Sequence, residues 1–468
     1  MANAVGREAA RSMRAKLWAR QATEGLPQTC PGRSAKIALS RAQRRALLAA
    51  ALIGLPVSLV WPALPASLAL CFFAVLIALR SLACFTPVKL IRRISLNEEA
   101  LPSACILVPA YRETAIMPHL VRALAAIDYP RDKLDIFLVL EADDQETLRA
   151  VLACRTPVNL KIIQVPPGLP RTKPRALNFA LRHTRADIIG ILDAEDRPHP
   201  GQLREAAERF ASAPPDLACL QAPLNWYNRS DSWITGQFTL EYAAHFNVML
   251  PFYQRLRWPL PLGGTSNYLR RDRLLEIGGW DAYNVTEDAD LGFRLAASGY
   301  RTGMLEHPTL EEAPVRLRPW LFQRSRWLKG YAQTLAVQLR ERGQAGSLPT
   351  LTRLTALIFT LGAALFSAML HAPLLIASIM YFATGWTGSA GQWIGLGFLS
   401  LGYFSAALGA LVGMRRAGRR LCLREFLLMP VYWPLQTLAA ARALWQWIVD
   451  PYLWDKTEHG QSQSCISP

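Results

Sequence analysis

The residues of this sequence best suited to catalysis or metal binding lie in three short acidic clusters. They are EADD at 141–144, DAED at 193–196 and TED at 286–288. Three carboxylates within four residues repel one another unless a cation lies between them, so Asp193, Glu195 and Asp196 are candidate metal ligands. Hard oxygen ligands beside a phosphate favour Mg²⁺ or Mn²⁺. An alternative, strongest for EADD, is that acids after a strand simply cap the next helix.

The TED cluster lies where a loop turns into a helical pattern. Glu287 or Asp288 could serve as a general base, which takes a proton from an attacking hydroxyl. Adjacent acids in the first turn of a helix also interact favourably with the helix dipole. Spacing alone leaves both roles open.

Basic residues precede another helical pattern, in the stretch PRTKPRALNFAL. Arg171, Lys173 and Arg175 could meet a phosphate together with the N-terminus of that helix. From their spacing alone, solvated surface charge is the better explanation.

The stretch FQRSRWLKG combines an amide, a guanidinium and an indole. On a helix, Gln323, Arg326 and Trp327 share one face, whereas Arg324 points elsewhere. This face could bind an anion beside a ring-shaped ligand. Taken alone, it also fits an amphipathic helix lying on a bilayer.

The elements that must position these residues form an α/β pattern between residues 100 and 345. Short apolar runs alternate with helical patterns, and the runs show no polar alternation, which is typical of parallel strands covered on both faces. Ligands of such sheets bind outside the carboxyl ends of the strands, where EADD and DAED follow their runs. The runs are ACILVPA, LDIFLVLE, LKIIQV, DIIGIL and LACLQ.

Two apolar hairpins flank this region. Each apolar leg approaches the roughly 20 residues that span a bilayer, and basic residues follow or precede both hairpins, which predicts that the outer flanks are cytoplasmic. Residues 425–449 are apolar but contain prolines and polar groups, so we expect an interfacial or re-entrant helix there. The predicted segments are a basic cytosolic extension (1–45), a transmembrane hairpin (46–85), a cytosolic domain (86–345) with interfacial helices near 318–340, a second hairpin (354–413), the helix at 425–449 and a cytosolic tail (450–468).

Charge and cysteine content narrow the class of protein. The formal net charge is +17, from 52 Lys and Arg against 35 Asp and Glu. Because the basic residues flank the apolar blocks, they indicate an inner-membrane protein rather than a nucleic-acid partner. The eight Cys are scattered, with no C-x-x-C motif, so we expect reduced thiols and neither disulfides nor a zinc site.

The ordered set VPAYRE, EADD, DAED, GGTSNY, TED and QRSRW, with a hairpin on either side, resembles the membrane-integrated family-2 glycosyltransferases. That group includes the cellulose, chitin and hyaluronan synthases. The tail WDKTEHG is similar to that of short bacterial exopolysaccharide and adhesin synthases. The resemblance implies an α/β GT-A-like domain with a Rossmann-like parallel sheet, flanked by transmembrane hairpins and interfacial helices.

The resemblance also implies roles for individual residues. Asp288 matches the catalytic base, with Glu287 and Thr286 beside it. Glu195 replaces the usual second Asp of the metal-binding D-x-D, which leaves open whether Asp193, Glu195 or Asp196 binds the metal. The donor-binding positions are Ala110, Tyr111, Glu113, Asp143 or Asp144, Lys173, Gln323, Arg326 and Trp327. The acceptor-binding positions are Gly264, Thr265 and Trp327, and the positions of a gating loop are Trp454, Lys456 and Thr457.

The function so implied is metal-dependent, inverting transfer from a UDP-sugar to the end of a growing β-linked polysaccharide. The chain, with a possible export or periplasmic partner, would also help to move the polymer across the membrane. One alternative is a non-processive transferase that adds a single sugar to a membrane lipid, since four spans are few for a channel. Another is a non-catalytic polysaccharide-binding subunit. The identity of the sugar, the linkage and the oligomeric state cannot be predicted from the sequence.

Overall fold

The structure, a computed structural model, describes residues 2–61, 63–157, 159–340, 349–385 and 388–454. Its helices are α1 (Ala2–Thr29), α2 (Arg41–Val60), α3 (Ala63–Phe85), α4 (Met117–Ala125), α5 (Gln145–Leu152), α6 (Lys173–Leu181), α7 (Gln202–Ser212), α8 (Trp233–Ala244), α9 (Leu250–Arg255), α10 (Arg271–Glu276), α11 (Glu287–Ala297), α12 (Leu317–Arg340), α13 (Thr350–Leu357), α14 (Ala363–Gly385), α15 (Ala390–Arg416), α16 (Leu423–Tyr432) and α17 (Leu435–Val449). Its strands are β1 (Ala104–Ala110), β2 (Leu134–Glu141), β3 (Leu160–Val165), β4 (Ile188–Ile191), β5 (Arg197–Pro198), β6 (Leu217–Gln221), β7 (Leu224–Trp226), β8 (Asn267–Arg270), β9 (Arg301–Met304) and β10 (Thr309–Glu311).

A seven-stranded sheet in the order β3-β2-β1-β4-β8-β6-β9 forms the centre of the α/β domain. Residues of β1 alternate between two hydrophobic cores, so that Cys105 and Leu107 pack on one face and Ile106 and Val108 on the other. Burial on both faces explains the continuous apolar runs of the sequence. Strands β5, β10 and β7 form a second, three-stranded sheet.

One strand departs from the predicted parallel arrangement. Strand β8 runs antiparallel to both β4 and β6. The chain enters β8 from the loop at Gly264, which lies at the carboxyl edge of the sheet beside Asp193, so the strand can only run back from that edge. This reversal brings the GGTSNY loop next to the DAED turn.

Four described helical segments are long and apolar enough to cross a membrane: Arg41–Val60, Ala63–Phe85, Thr350–Ala383 and Ala390–Arg416. The first begins at Arg41, five residues earlier than the predicted boundary, because Ser40 and Gln43 form a capping box. Large apolar side chains such as Leu52 and Ile376 are exposed on these helices, as expected of a surface that faces lipid.

The predicted single helix at 425–449 is instead two helices. A break at Trp433 and Pro434 separates α16 from α17, because a proline cannot continue the hydrogen-bonding pattern of the preceding turn. With 10 and 15 residues, both are shorter than the roughly 20 residues of a spanning helix.

The N-terminal extension packs against the α/β domain. Helix α1 lies along α6, where the Asn178 side chain donates hydrogen bonds to the Ala22 and Trp280 carbonyls at 3.0 and 2.7 Å. After α1, the Ser34 hydroxyl and the Ala35 N–H both donate to the Asp281 carboxylate. These bonds connect the extension to the loop that leads into α11.

Candidate active site

A cavity of about 1380 Å³ lies at the carboxyl edge of the sheet. Parallel strands β1 and β4 end beside it, and the N-terminus of α11 and one face of α12 close it from above. Most of the predicted site residues line this cavity: Ala110, Tyr111, Glu113, Lys173, Asp193, Glu195, Gly264, Thr265, Thr286, Glu287, Asp288, Gln323, Arg326, Trp327 and Trp454. The fold therefore brings together segments separated by more than 300 residues in the chain.

The three acids of the DAED turn, which follows β4, lie in two different environments. Asp193 and Glu195 line the cavity. Asp196 is buried behind them, where it accepts hydrogen bonds from the Asp193 N–H at 2.7 Å and from the Thr265 hydroxyl. Burial and the charges of Asp193 and Glu195 raise the pKa of Asp196. Asp196 thus shapes the turn, and the two exposed acids are the ones that can reach a ligand.

Lys173, the first residue of α6, lies directly against these acids. Its ammonium donates to the Asp193 carboxylate and, at 2.7 Å, to the Gly264 carbonyl. Burial lowers the pKa of Lys173, but the carboxylates of Asp193 and Glu287 outweigh this effect and leave it above its ordinary value. Lys173 therefore carries a positive charge at the centre of the cavity.

The other two basic residues of the stretch PRTKPRALNFAL, Arg171 and Arg175, make different contacts. Arg175 is buried and pairs with Glu141 at 3.3 Å, behind the sheet edge. Arg171 reaches the far end of the cavity, where it donates to the Tyr111 hydroxyl at 2.7 Å and pairs with Asp143 at 3.0 Å. Arg171 was named with Lys173 as a possible phosphate contact but not among the donor-binding positions, and its contacts are with Tyr111 and Asp143.

Asp143 and Asp144, which the sequence could not distinguish, are separated by the structure. Asp144 is the N-cap of α5, accepts from the Thr147 N–H at 3.2 Å, and also accepts from the Arg112 N–H. Asp143 is about half exposed and contacts Arg171 beside Tyr111. The helix-capping interpretation therefore fits Asp144, and Asp143 is the acid available near the end of β1.

The fit of a divalent cation can be judged from the donor set. Two carboxylates, Asp193 and Glu195, line the cavity, and Mg²⁺ sites commonly combine one or two carboxylates with waters and substrate phosphates. Among the described residues, no group of three His, Cys, Asp or Glu side chains is arranged to hold a metal by itself. The residues present thus fit a cation that shares its coordination with a diphosphate.

Asp288 lies in the first turn of α11 and faces these acids across Gly264. A Cβ atom added to Gly264 would lie 3.3 Å from Asp288 Oδ2, 3.8 Å from Lys173 Nζ and 3.9 Å from Asp193 Oδ2. Burial raises the pKa of Asp288, while the Ala289 N–H, Lys173 and Arg326 oppose the increase. Burial and the charge of Asp288 raise the pKa of the neighbouring Glu287 to about 8. A carboxyl group and a positive charge therefore face one small volume beside Gly264, where an added Cβ atom would be in tight contact with Asp288.

Helix α12 presents Gln323, Arg326 and Trp327 to the cavity, on the shared face that their spacing predicts. Arg324, which its spacing predicted to point elsewhere, also lines the cavity, where it holds Glu241 of α8 in a bidentate pair at 2.6 and 2.8 Å. Its guanidinium also lies 4.7 Å from the centre of the Trp327 ring. Arg324 thus fixes both α12 and the indole that α12 presents.

The C-terminal segment reaches the same face. The Lys329 ammonium and the Gln333 amide each donate at 2.8 Å, to the carbonyls of Leu453 and Pro451. These bonds place the Trp454 ring 4.7 Å from the Arg326 guanidinium. The other predicted gating residues, Lys456 and Thr457, lie outside the described residues.

Glu311 of β10 is a further acid that sequence reasoning missed. It lines the cavity, and burial together with the charges of Asp196 and Glu195 raises its pKa. Glu311 does not follow any of the apolar runs recognised in the sequence, because β10 belongs to the second sheet. Only its proximity in space connects it with the DAED turn.

Comparisons with known proteins show which family and fold this domain is similar to. Residues 102–333 match the family described as glycosyltransferase like family 2. The chain is 30% identical over 239 residues to a beta-monoglucosyldiacylglycerol synthase of Synechocystis, covering 49% of this chain and 48% of that protein. It is 29% identical over 249 residues to the cellulose synthase 1 catalytic subunit of Komagataeibacter xylinus, covering 52% of this chain and 32% of that protein. Each alignment therefore spans about half or less of the relative.

One solved structure shares the fold over most of the chain. It is the mannosyltransferase PcManGT from Pyrobaculum calidifontis, in complex with GDP-Man and Mn²⁺. The TM-score is 0.50 at 19% identity, and the match covers 81% of this chain and 99% of the other.

Proposed function

Since residues 102–333 form a domain of glycosyltransferase family 2, we propose that this protein transfers a sugar, with inversion, from a UDP-sugar to the end of a growing β-linked polysaccharide. The observation that carries the proposal is that Asp193, Asp288 and Arg326 line one cavity. Had these three residues faced separate regions, neither a shared donor site nor a base beside it would be possible.

The proposed reaction uses the groups around Gly264. Asp288 takes the proton of the acceptor hydroxyl, which attacks the anomeric carbon from the side opposite the diphosphate. Lys173 and Arg326 stabilise the negative charge that develops on the departing diphosphate. Asp193 and Glu195 would hold Mg²⁺ or Mn²⁺, whose positive charge supplies further stabilisation of that diphosphate when bound. One displacement converts an α-linked donor into a β-linked product.

The two ends of the cavity suggest how substrates lie in it. Tyr111 and Asp143 would bind the uracil, and this proposal is supported by Arg171, which contacts both, so that an aromatic ring, a hydrogen-bond acceptor and a donor lie together. Trp327 packs against Phe238 and Tyr242 and offers an aromatic surface on which the apolar face of an acceptor sugar can stack. Trp454, on Arg326, would belong to a segment that covers the donor.

A second candidate function is transfer of a single sugar to a membrane lipid. It is favoured by the extension of the cavity between apolar residues of α3, α14 and α15, which suits an acceptor that enters from a bilayer. In both cases the catalytic domain would face the cytoplasm, where nucleotide sugars occur, and polymer export would use these helices or a partner protein.

The experiment is to incubate the purified full-length chain with a panel of UDP-sugars and Mg²⁺ or Mn²⁺. We expect a product of high molecular mass that linkage-specific β-glycosidases digest, and loss of its formation when EDTA removes the cation. A product limited to one lipid-linked sugar would support the second candidate instead. Absence of turnover with every donor would contradict both and favour a non-catalytic subunit.

A further inference from the structure

The cavity continues beyond the reaction centre into the helices that can cross a membrane. Leu70, Phe73, Ile77 and Arg80 line it along one side of α3, and residues of α14 and α15 face them. Ligand pockets usually enclose about 300–1,000 Å³, so a cavity of about 1380 Å³ has room for a ligand besides the donor.

Arg80 is the charged residue of this extension. It lies five residues before the end of α3, which is about 7.5 Å along a helix axis, at the end that leads into the α/β domain. The aliphatic part of its side chain packs against Gly409 of α15. Its guanidinium donates to the Ser405 hydroxyl at 3.4 Å and lies 5.9 Å from the centre of the Trp433 ring.

In the part of the chain that the structure describes, no carboxylate forms an ion pair with Arg80. An arginine within a membrane helix is costly unless an anion accompanies it, and such residues usually mark a binding site or pathway. The planar guanidinium suits the two oxygens of a phosphate group. The depth near the helix end is also that of lipid headgroups, since the polar zone borders a hydrocarbon core about 30 Å thick.

The Trp433 ring next to this guanidinium belongs to a cluster of aromatic residues. Trp433 and Tyr403 stack with ring centres 5.4 Å apart, and the Tyr403 hydroxyl is hydrogen-bonded to His371 Nε2 at 2.9 Å. Trp and Tyr are enriched at the level of the headgroups, where one end of the side chain is apolar and the other polar. The cluster therefore matches the surroundings of a headgroup.

The deeper part of the extension is apolar. From Arg80 the lining runs back along α3 to Leu70 and is completed by Leu374 and Phe398 of the neighbouring helices. Leu70 and Leu374 are 40% and 43% exposed. An acyl chain fits such walls, because it has no polar groups that need hydrogen-bond partners.

From these contacts we infer that Arg80 binds the phosphate group of an anionic membrane lipid whose acyl chain lies in the apolar extension of the cavity. This site goes beyond the proposed transfer reaction, because it requires no donor sugar. It gives the cavity a third ligand, next to the donor and the acceptor.

The test measures lipid binding to the purified, delipidated full-length chain by native mass spectrometry. The probe is dioctanoyl phosphatidylglycerol, compared with dioctanoylglycerol, inorganic phosphate and cellohexaose. The variants are Arg80→Gln, Arg80→Lys and the matched control Arg45→Gln, which removes a charge from the exposed start of α2. Thermal unfolding of each variant verifies that it is folded.

We expect wild type and Arg45→Gln to bind the phosphatidylglycerol equally, and Arg80→Gln to bind it about tenfold or more weakly, as loss of a charge-assisted hydrogen bond implies. Arg80→Lys should retain part of the affinity, and dioctanoylglycerol should bind weakly to all variants. Unchanged binding by Arg80→Gln would overturn the inference. So would binding of inorganic phosphate as tight as that of the lipid, or binding of cellohexaose that depends on Arg80. Because the binding assay contains no nucleotide sugar, none of these results bears on the proposed transfer reaction, which is tested separately by product formation.

Discussion

At the residue scale, the proposed chemistry depends on two adjacent carboxyl groups, Glu287 and Asp288, whose pKa values burial raises. Both side chains line the cavity, but Glu287 is only 3% exposed and its pKa is raised to about 8. Asp288 faces the cavity and receives a hydrogen bond from the Ala289 N–H at 2.7 Å. This difference supports Asp288 as the proton acceptor and Glu287 as a neutral neighbour at pH 7.

The first prediction concerns the base itself. Asp288→Asn should lower the transfer rate by about 10²–10⁴-fold, because an amide cannot accept the hydroxyl proton. Binding of UDP, measured by calorimetry, should stay close to that of wild type. The matched control is Asp272→Asn on α10, an exposed carboxylate, which should leave the rate unchanged. Loss of UDP binding in Asp288→Asn would contradict the assigned role.

The second prediction concerns the pH dependence of stability. The folded protein keeps the proton of Glu287 up to about pH 8, whereas an unfolded chain releases it near the model-peptide value of 4.5. Between these values the folded state binds more protons, so the free energy of unfolding falls as the pH rises. Glu287→Gln removes this titration and should reduce the fall in Tm between pH 6 and pH 9 by about 2 °C or more. Equal pH dependence in wild type and variant would show that the proton is not held there.

At the scale of elements, the approach of α12 to α11 determines the geometry of the site. A Cβ atom on Gly330 would lie 2.2 Å from the Thr286 hydroxyl oxygen and 2.7 Å from Thr286 Cβ. Gly330 therefore lets the helix that presents Arg326 pass directly over the N-terminus of the helix that presents Asp288. Arg324 connects α12 to α8 through its ion pair with Glu241.

The third prediction tests this approach. Gly330→Ala should displace α12, lower kcat about tenfold or more because reacting groups are misplaced, and cost about 1–3 kcal/mol of stability from overpacking. The control is Gly25→Ala in α1, where an added Cβ meets nothing within 4 Å. If both variants have the same turnover and Tm, the contact between α12 and Thr286 does not control the site.

At the scale of the whole molecule, a membrane helix and the catalytic domain share backbone contact. A Cβ atom on Gly413 of α15 would lie 2.3 Å from the Ala243 carbonyl oxygen and 2.7 Å from the Ala244 nitrogen. The next residue, His245, begins a π-helical segment that lines the cavity. The docking of α15 thus determines where one wall of the cavity lies relative to the membrane helices.

The fourth prediction compares two glycines of the same helix. Gly413→Ala should lower the free energy of unfolding of the full chain by about 1–3 kcal/mol and reduce the transfer rate, because the cavity wall next to Ala244 must move. Gly397→Ala, where an added Cβ meets nothing within 4 Å, should be neutral in both measurements. Thermal unfolding in detergent and product formation provide the two readouts, and equal behaviour of the variants would exclude a tight contact at Gly413.

The hydrophobic patterns along the sequence were sufficient to predict the architecture. The α/β domain with its flanking apolar helices is confirmed, and residues 102–333 match glycosyltransferase family 2, because burial on both faces of a sheet and contact with lipid each impose a composition that is visible locally. The face shared by Gln323, Arg326 and Trp327 was equally predictable, since helical geometry is fixed by spacing.

Only the tertiary structure decided which member of each polar cluster faces the cavity. Asp144 caps a helix while Asp143 contacts Arg171, Asp196 shapes a turn while Asp193 faces outward, and Arg175 pairs behind the sheet while Lys173 lies in front of it. Adjacent residues of one type are equivalent in sequence, and their orientation depends on partners that are distant in the chain. The positions of Glu311 and Arg80 in the cavity could not be predicted from the sequence for the same reason, since their neighbours come from elements that are distant in the chain.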